Sequence, residues 1–301
     1  MNPLKKIHIV ATSGTFEKSL VEESTNYLRK LNFQVEVSPD ILGEDPIYAH
    51  SKEQRFQNLK SALEDPYADF IWCMRGGAGA SGLVPLLKTL PKPKKEKVFI
   101  GYSDVTCLHL FFSQHWGWKT IHGPLLKEMT KKMLSLDSQT FMEDFVLQKK
   151  NSLTLEDLVP LNKKAKETQT ISKKITGGNL SLIQSSFGTS WQIESEDKIL
   201  FIEDVNERAY RTLERFEHMK QVGILNNLAA LIFGDFGFSE PNLKEEALYK
   251  IKLKEFSETL PFPVFKTEKI GHGKNNFPIQ IGQKVFLETS KNSKLTITYD
   301  L

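Results

Sequence analysis

The chain has 301 residues, 40% hydrophobic and 26% charged, an ordinary globular balance with enough apolar material for one large domain or two. A net charge of +3, with lysines scattered or confined to short runs such as Lys92-Pro93-Lys94-Lys95, argues against a nucleic-acid partner. Two cysteines in apolar runs, Cys73 and Cys107, give no disulfide framework or zinc spacing, and the longest apolar runs fall short of a secretory leader or a membrane span. A cytoplasmic protein without a membrane partner is the expectation.

In chain order, residues 7–11 read as a first strand that opens into Thr12-Ser13-Gly14. Ser19-Leu20-Val21-Glu22 has the spacing of a capping box ahead of a helix with Leu20, Tyr27, Leu28 and Leu31 on one face, and Ser51-Lys52-Glu53-Gln54 repeats that spacing before Phe56, Leu59 and Leu63. Residues 33–37 and 70–74 read as strands, and the second runs straight into Arg75-Gly76-Gly77-Ala78-Gly79-Ala80-Ser81-Gly82. Another strand, Val98-Phe99-Ile100-Gly101, leads through Tyr102-Ser103-Asp104 into a helix bearing Val105, Leu108, Phe111 and Phe112. A short strand at 119–122 ends at His122-Gly123-Pro124. Strands alternating with helices predict a mostly parallel, Rossmann-like sheet flanked by helices, with functional loops at the carboxyl ends of its strands. From about 125 to 174 the pattern weakens, so the chain divides into an N-terminal domain of residues 1–150, a linker of 151–170 and a C-terminal domain of 171–301. The second half restarts at Ile175-Thr176-Gly177-Gly178-Asn179. It continues with strands at 198–202 and 228–233, helices at 209–222 and 243–258, the loop Ile270-Gly271-His272-Gly273, and alternating strands at 284–288 and 295–299. An α/β domain with a mixed sheet is the expectation there.

Ser103 sits where a strand turns sharply into a helix, so free backbone N–H groups and the helix dipole favour a developing oxyanion beside its hydroxyl. A helix cap at Ser103 or Asp104 fits the same residues. A serine nucleophile needs a base in hydrogen-bond reach, and the base needs an anion to orient it. Of the seven histidines, His122 and His272 stand beside glycines in loops where a ring can be aimed, and Glu203 ends an apolar strand where an unpaired carboxylate would be costly. Ser103, Glu203 and His272 thus form a candidate triad. The glycines also have two readings. Residues 77–82 match G-x-G-x-x-G with Asp104 further on, as in a non-catalytic dinucleotide-binding module, whereas N–H groups at Gly76 and Gly77 suit an oxyanion.

Six ordered motifs then carry a resemblance over nearly the whole chain: Arg75-Gly76-Gly77-x-Gly79, Gly101-Tyr102-Ser103-Asp104, His122-Gly123-Pro124, Gly177-Gly178-Asn179-Leu180, Phe201-Ile202-Glu203-Asp204 with Glu207 and Tyr210-Arg211, and Gly271-His272 with Asn276 and Pro278. In this the chain resembles the LD-carboxypeptidase family, which comprises cytoplasmic murein-tetrapeptide LD-carboxypeptidases and the related microcin C immunity peptidases. The resemblance implies that Ser103 is the nucleophile, His272 the general base and acid, and Glu203 the residue that orients it. The oxyanion hole would be the backbone N–H of Asp104 with one from Gly76 or Gly77. It implies a homodimer without metal or cofactor, acting on a small peptide in peptidoglycan recycling by releasing terminal D-alanine. Arg75, Tyr102, His122 and Asn179 are the expected substrate contacts, with Arg75 equally suited to bracing its glycine loop. An immunity-type peptidase cleaving aminoacyl-nucleotide conjugates is the alternative within the family. Ala78 departs from the aromatic residue common at its position, and Thr12 from a proline.

Overall fold

In the computed structural model, which describes residues 4–237, 243–290 and 292–300, the apolar runs build two β-layers. Strands β1 (Lys6–Val10), β2 (Gln34–Val37), β3 (Ala68–Cys73), β4 (Val98–Gly101) and β5 (Thr120–His122) pair in parallel. Their crossovers carry α1 (Ser19–Lys30), α2 (Lys52–Glu64), α3 (Val84–Leu87) and α4 (Thr106–His115). Each long helix buries one stripe, as helical spacing requires: Leu20, Ser24 and Leu28 on α1, Phe56, Leu59 and Leu63 on α2. The Ser51 hydroxyl caps α2 by accepting the Gln54 N–H at 3.3 Å. The cap expected at Ser19 does not form, because the backbone is already helical at Lys18 and leaves no extended residue for a hydroxyl to cap from.

After β5 come α5 (Leu126–Thr130), α6 (Leu136–Val146) and β6 (Ser152–Pro160), then β7 (Gln169–Asn179), α7 (Leu180–Ser185), β8 (Ile199–Glu203), α8 (Ala209–Gln221), β9 (Ala230–Phe233), α9 (Leu243–Glu258), β10 (Val264–Lys266), β11 (Ile279–Ile281), β12 (Lys284–Thr289) and β13 (Ser293–Thr298). Among the described residues, seven of these strands close into a barrel in the order β10-β6-β13-β12-β7-β8-β9. The run from β7 through β8 and β9 to β10 is parallel, and the other pairings are antiparallel.

Three expectations are amended here. The C-terminal sheet is mixed, as expected, but it closes into a barrel. Leu153, Leu155 and Leu158 of β6, Val285 and Leu287 of β12, and Leu295 and Ile297 of β13 alternate inward, and closure leaves such a sheet no unpaired edge. Residues 151–170 are not a linker. All of β6 lies there, and Asn162 donates to the carbonyls of Ser257 and Phe262 while accepting from Ala165 and Val264. The N-terminal sheet is not purely Rossmann-like, since β11 returns from the C-terminal half and adds antiparallel to β5, pairing Ile279 with His122. That crossing strand places the loop before it, which carries His272, over the carboxyl ends of the N-terminal strands.

Candidate active site

Ser103 follows the carboxyl end of β4 and starts a single 3-10 turn that runs into α4. Its φ of 65° is left-handed, a conformation that costs a non-glycine residue on the order of 1 kcal/mol and is held only where its surroundings demand it. Two glycines create the room. A Cβ on Gly101 would lie 3.1 Å from both Cys73 and Val105, and one on Gly76 would lie 3.1 Å from the Ser103 hydroxyl. The glycine-rich loop therefore packs its backbone directly against Ser103. Asp104, next in the chain, is buried and accepts the Ala80 N–H at 2.9 Å, which ties the same loop to the serine turn.

That loop is gripped from its other side by Arg55, a buried cation on α2. It donates to the carbonyls of Thr12, Gly79 and His50 and stacks on Tyr48 at 5.0 Å. No feature of the sequence around Arg55 marks it for this work; only its tertiary neighbours do. The dinucleotide reading of residues 77–82 fails on this geometry. The glycines open a 3-10 turn and the four-residue α3 rather than a long helix, and the carboxylate of Asp104 is committed to Ala80.

Glu203 closes β8 and is fully buried; its Oε2 lies 2.5 Å from Nδ1 of His272. Gly271 allows this approach, because at its φ of 119° a Cβ would stand 2.9 Å from the Glu203 Cβ. With Nδ1 turned to a carboxylate, Nε2 is the ring nitrogen left to exchange a proton with a hydroxyl, and the His272 side chain keeps 16% of its surface exposed. Burial opposes the charged imidazole, but the charge and hydrogen bond of Glu203, with Glu128 and Asp204 beyond, outweigh it and lift the His272 pKa to about 9. Burial raises the Glu203 pKa too, against the pull of His272. The His272 loop is anchored on α6: the Ser135 N–H donates to the Lys274 carbonyl at 2.7 Å, and Ser138 and the Asn276 backbone exchange bonds of 2.9 and 3.0 Å.

The residues expected to touch substrate divide differently. Tyr102 is 2% exposed, its ring 4.6 Å from His272 and 5.5 Å from His122, its hydroxyl donating to Glu128 at 2.5 Å. His122 is wholly buried against Phe201, where burial lowers its pKa and keeps it neutral. Asn179 caps α7 with its side-chain oxygen, donates its side-chain amide to Asp204 at 3.0 Å, and donates its backbone N–H to the Thr106 hydroxyl at 3.0 Å. These three offer almost no surface, so they support the site rather than line it. Arg75 is half-buried and donates to the Thr15 carbonyl, bracing the first loop. The Gly76 carbonyl accepts the Gly14 N–H at 3.1 Å, and Gly77 (φ 115°) packs on the Gly14 backbone, so this loop is fixed from that side as well. Among the described residues no group of three or more His, Cys, Asp or Glu side chains is arranged to hold a metal ion, and no helix is long and apolar enough to cross a membrane.

A hydroxyl on a strained strand-to-helix turn, a buried carboxylate–imidazole pair and a backbone-lined loop suit acyl transfer, and comparison with known proteins agrees. Residues 7–123 match the LD-carboxypeptidase N-terminal domain, and residues 173–287 match the LD-carboxypeptidase C-terminal domain. A Rickettsia conorii protein with a provisional carboxypeptidase name is 40% identical over 97% of this chain and 90% of its own length. The microcin C7 self-immunity protein of Escherichia coli is 23% identical over 91% of this chain and 87% of its own. The crystal structure of muramoyltetrapeptide carboxypeptidase from Oxalobacter formigenes shares the fold with a TM-score of 0.83 at 22% identity, covering 98% of this chain and 99% of that one. The chain belongs to the LD-carboxypeptidase family, and as an enzyme it is a serine-type LD-carboxypeptidase.

Proposed function

We propose that the protein hydrolyses the amide between an L-centre and the terminal D-alanine of a murein tetrapeptide, through a Ser103–His272–Glu203 triad. The observation that carries this reading is the 2.5 Å contact of buried Glu203 with His272, whose ring leans on Tyr102, the residue before Ser103. His272 Nε2 takes the Ser103 proton as Oγ attacks the carbonyl carbon, and Glu203 stabilises the imidazolium that results. The backbone N–H groups of Asp104 and of Gly76 or Gly77 receive the oxyanion, an interaction worth roughly 3–4 kcal/mol per donor when prearranged. His272 returns its proton to the leaving amine, which departs as D-alanine. Water, deprotonated by the same imidazole, then releases the acyl group from Ser103.

We further propose a unit carrying Ser103 that ends near residue 150 and a unit carrying Glu203 and His272 that begins with β6. On the family resemblance, the enzyme acts as a homodimer in the cytoplasm, on peptides from peptidoglycan recycling. The similarity to the self-immunity protein supports a second reading, an aminoacyl-nucleotide conjugate as substrate. Parallel assays of murein tetrapeptide and an aminoacyl-sulfamoyl-adenosine decide between them. D-alanine release with little turnover of the nucleotide is the expected outcome, and the reverse preference would overturn the carboxypeptidase reading in favour of the immunity type.

A further inference from the structure

Among the acidic side chains around His272 is Glu128, for which the triad has no use. Glu128, on α5, accepts the Tyr102 hydroxyl proton at Oε1 (2.5 Å) and the Leu125 N–H at Oε2 (3.0 Å). The Tyr102 ring lies against the His272 ring with 4.6 Å between centroids. The imidazole is thus held at its Nδ1 edge by Glu203 and flanked by the tilted ring of a tyrosine that is itself tethered to a carboxylate. We propose that Glu128 is a positioning residue of the active site: its bond to Tyr102 fixes the ring on which His272 rests, and its carboxylate is a second anion for the imidazolium formed when His272 takes the serine proton.

An N-terminal cap on a five-residue helix would explain only the Leu125 bond. The Oε1 bond goes instead to the buried Tyr102, which adjoins Ser103 in sequence and His272 in space. Burial raises the Glu128 pKa, opposed by Tyr102, by Leu125 and by the nearby charge of His272. Among the described residues, the groups whose charge or ring bears on His272 include Glu203 and Asp204 at the end of β8 (Asp204 itself paired with Arg215 of α8 at 3.1 Å), Asp235 after β9, Tyr102 after β4, His122 on β5 and Glu128 on α5. Lys266 and Glu268 influence the site at one remove, through Asp235. Of the carboxylates, Glu203 bonds His272 itself, whereas Glu128 reaches it through an aromatic ring whose position it sets.

This inference rests on His272 being the base, and its test separates the two. The pH profile of kcat/KM for D-alanine release is measured for the native enzyme, Glu128→Gln, Glu128→Asp and Tyr102→Phe, with Ser103→Ala beside them. Glu128→Gln keeps an acceptor for Leu125 and removes the charge, so the inflection that reports His272 moves towards acid by about half a pH unit or more. Glu128→Asp, which keeps the charge, leaves that inflection at its native position. Tyr102→Phe spares the α5 cap and lowers kcat several-fold at unchanged KM, and it reads the positioning role even where Glu128→Gln fails to fold. A Glu128→Gln inflection at or above the native one, or a Tyr102→Phe enzyme with native kcat, overturns the proposal. A Ser103→Ala enzyme that still releases D-alanine removes the triad itself.

Discussion

At His272 burial and attraction pull in opposite directions, and attraction prevails. The unpaired imidazolium would be disfavoured inside the protein, yet Glu203 at 2.5 Å makes the charged form the stable one, with a pKa of about 9. A general base works only once it has lost that proton. kcat/KM is therefore expected to climb as pH rises from 7 towards 9, and a profile flat across that range would contradict the assignment. Replacing Glu203 by Gln removes the anion that raises the pKa, so the inflection shifts towards acid while kcat falls by about 10,000-fold, the cost seen where a triad loses the carboxylate that sets its tautomer. Such a pair titrates as a unit, and the inflection belongs to Glu203 and His272 together.

On the scale of the elements, the site depends on how closely β7, β8 and α4 approach one another. Gly177 pairs with Phe201 in the parallel β7–β8 register, and at its φ of 146° a Cβ would lie 1.9 Å from the Phe201 carbonyl oxygen. Nothing flexible can yield there, and Glu203 is two residues further along β8. Gly177→Ala is expected to cost at least about 3 kcal/mol in chemical denaturation, or to prevent folding. Gly188→Ala, also at positive φ but with nothing within 4 Å, pays only for the backbone, about 1 kcal/mol. Equal costs at the two positions would refute the packing argument. The elements themselves were unevenly legible. Continuous apolar runs such as those of β3, β4, β8 and β9 declare strands buried on both faces, and Ser103 and Glu203 were visible because each ends such a run. β6 alternates only weakly within a lysine- and threonine-rich stretch, and β10 and β11 are three residues each, so their pairing is decided by strands far away in the chain. Arg55 carries no local signature, and Glu128 reads locally only as a cap for the start of α5. Their roles exist only once α2 and α5 are docked.

In the whole molecule, neither half holds all three residues of the proposed triad. Ser103 and its glycine loop belong to the parallel sheet, Glu203 to the barrel, and His272 to the loop between β10 and β11. Three features hold these parts in register. β11 pairs with β5, Asn179 of the barrel donates its backbone N–H to Thr106 of α4 at 3.0 Å, and α6 clasps the His272 loop through Ser135 and Ser138. Closure of the barrel explains why a region read as linker is instead part of the barrel wall. The proposed triad requires the three side chains to act on one bond. The most direct test is release of D-alanine from murein tetrapeptide by the native protein and by Ser103→Ala, the variant being checked for native thermal stability. The account predicts steady release by the native protein and a loss of at least about 1,000-fold in the variant; a stable Ser103→Ala protein that releases D-alanine at the native rate would contradict it.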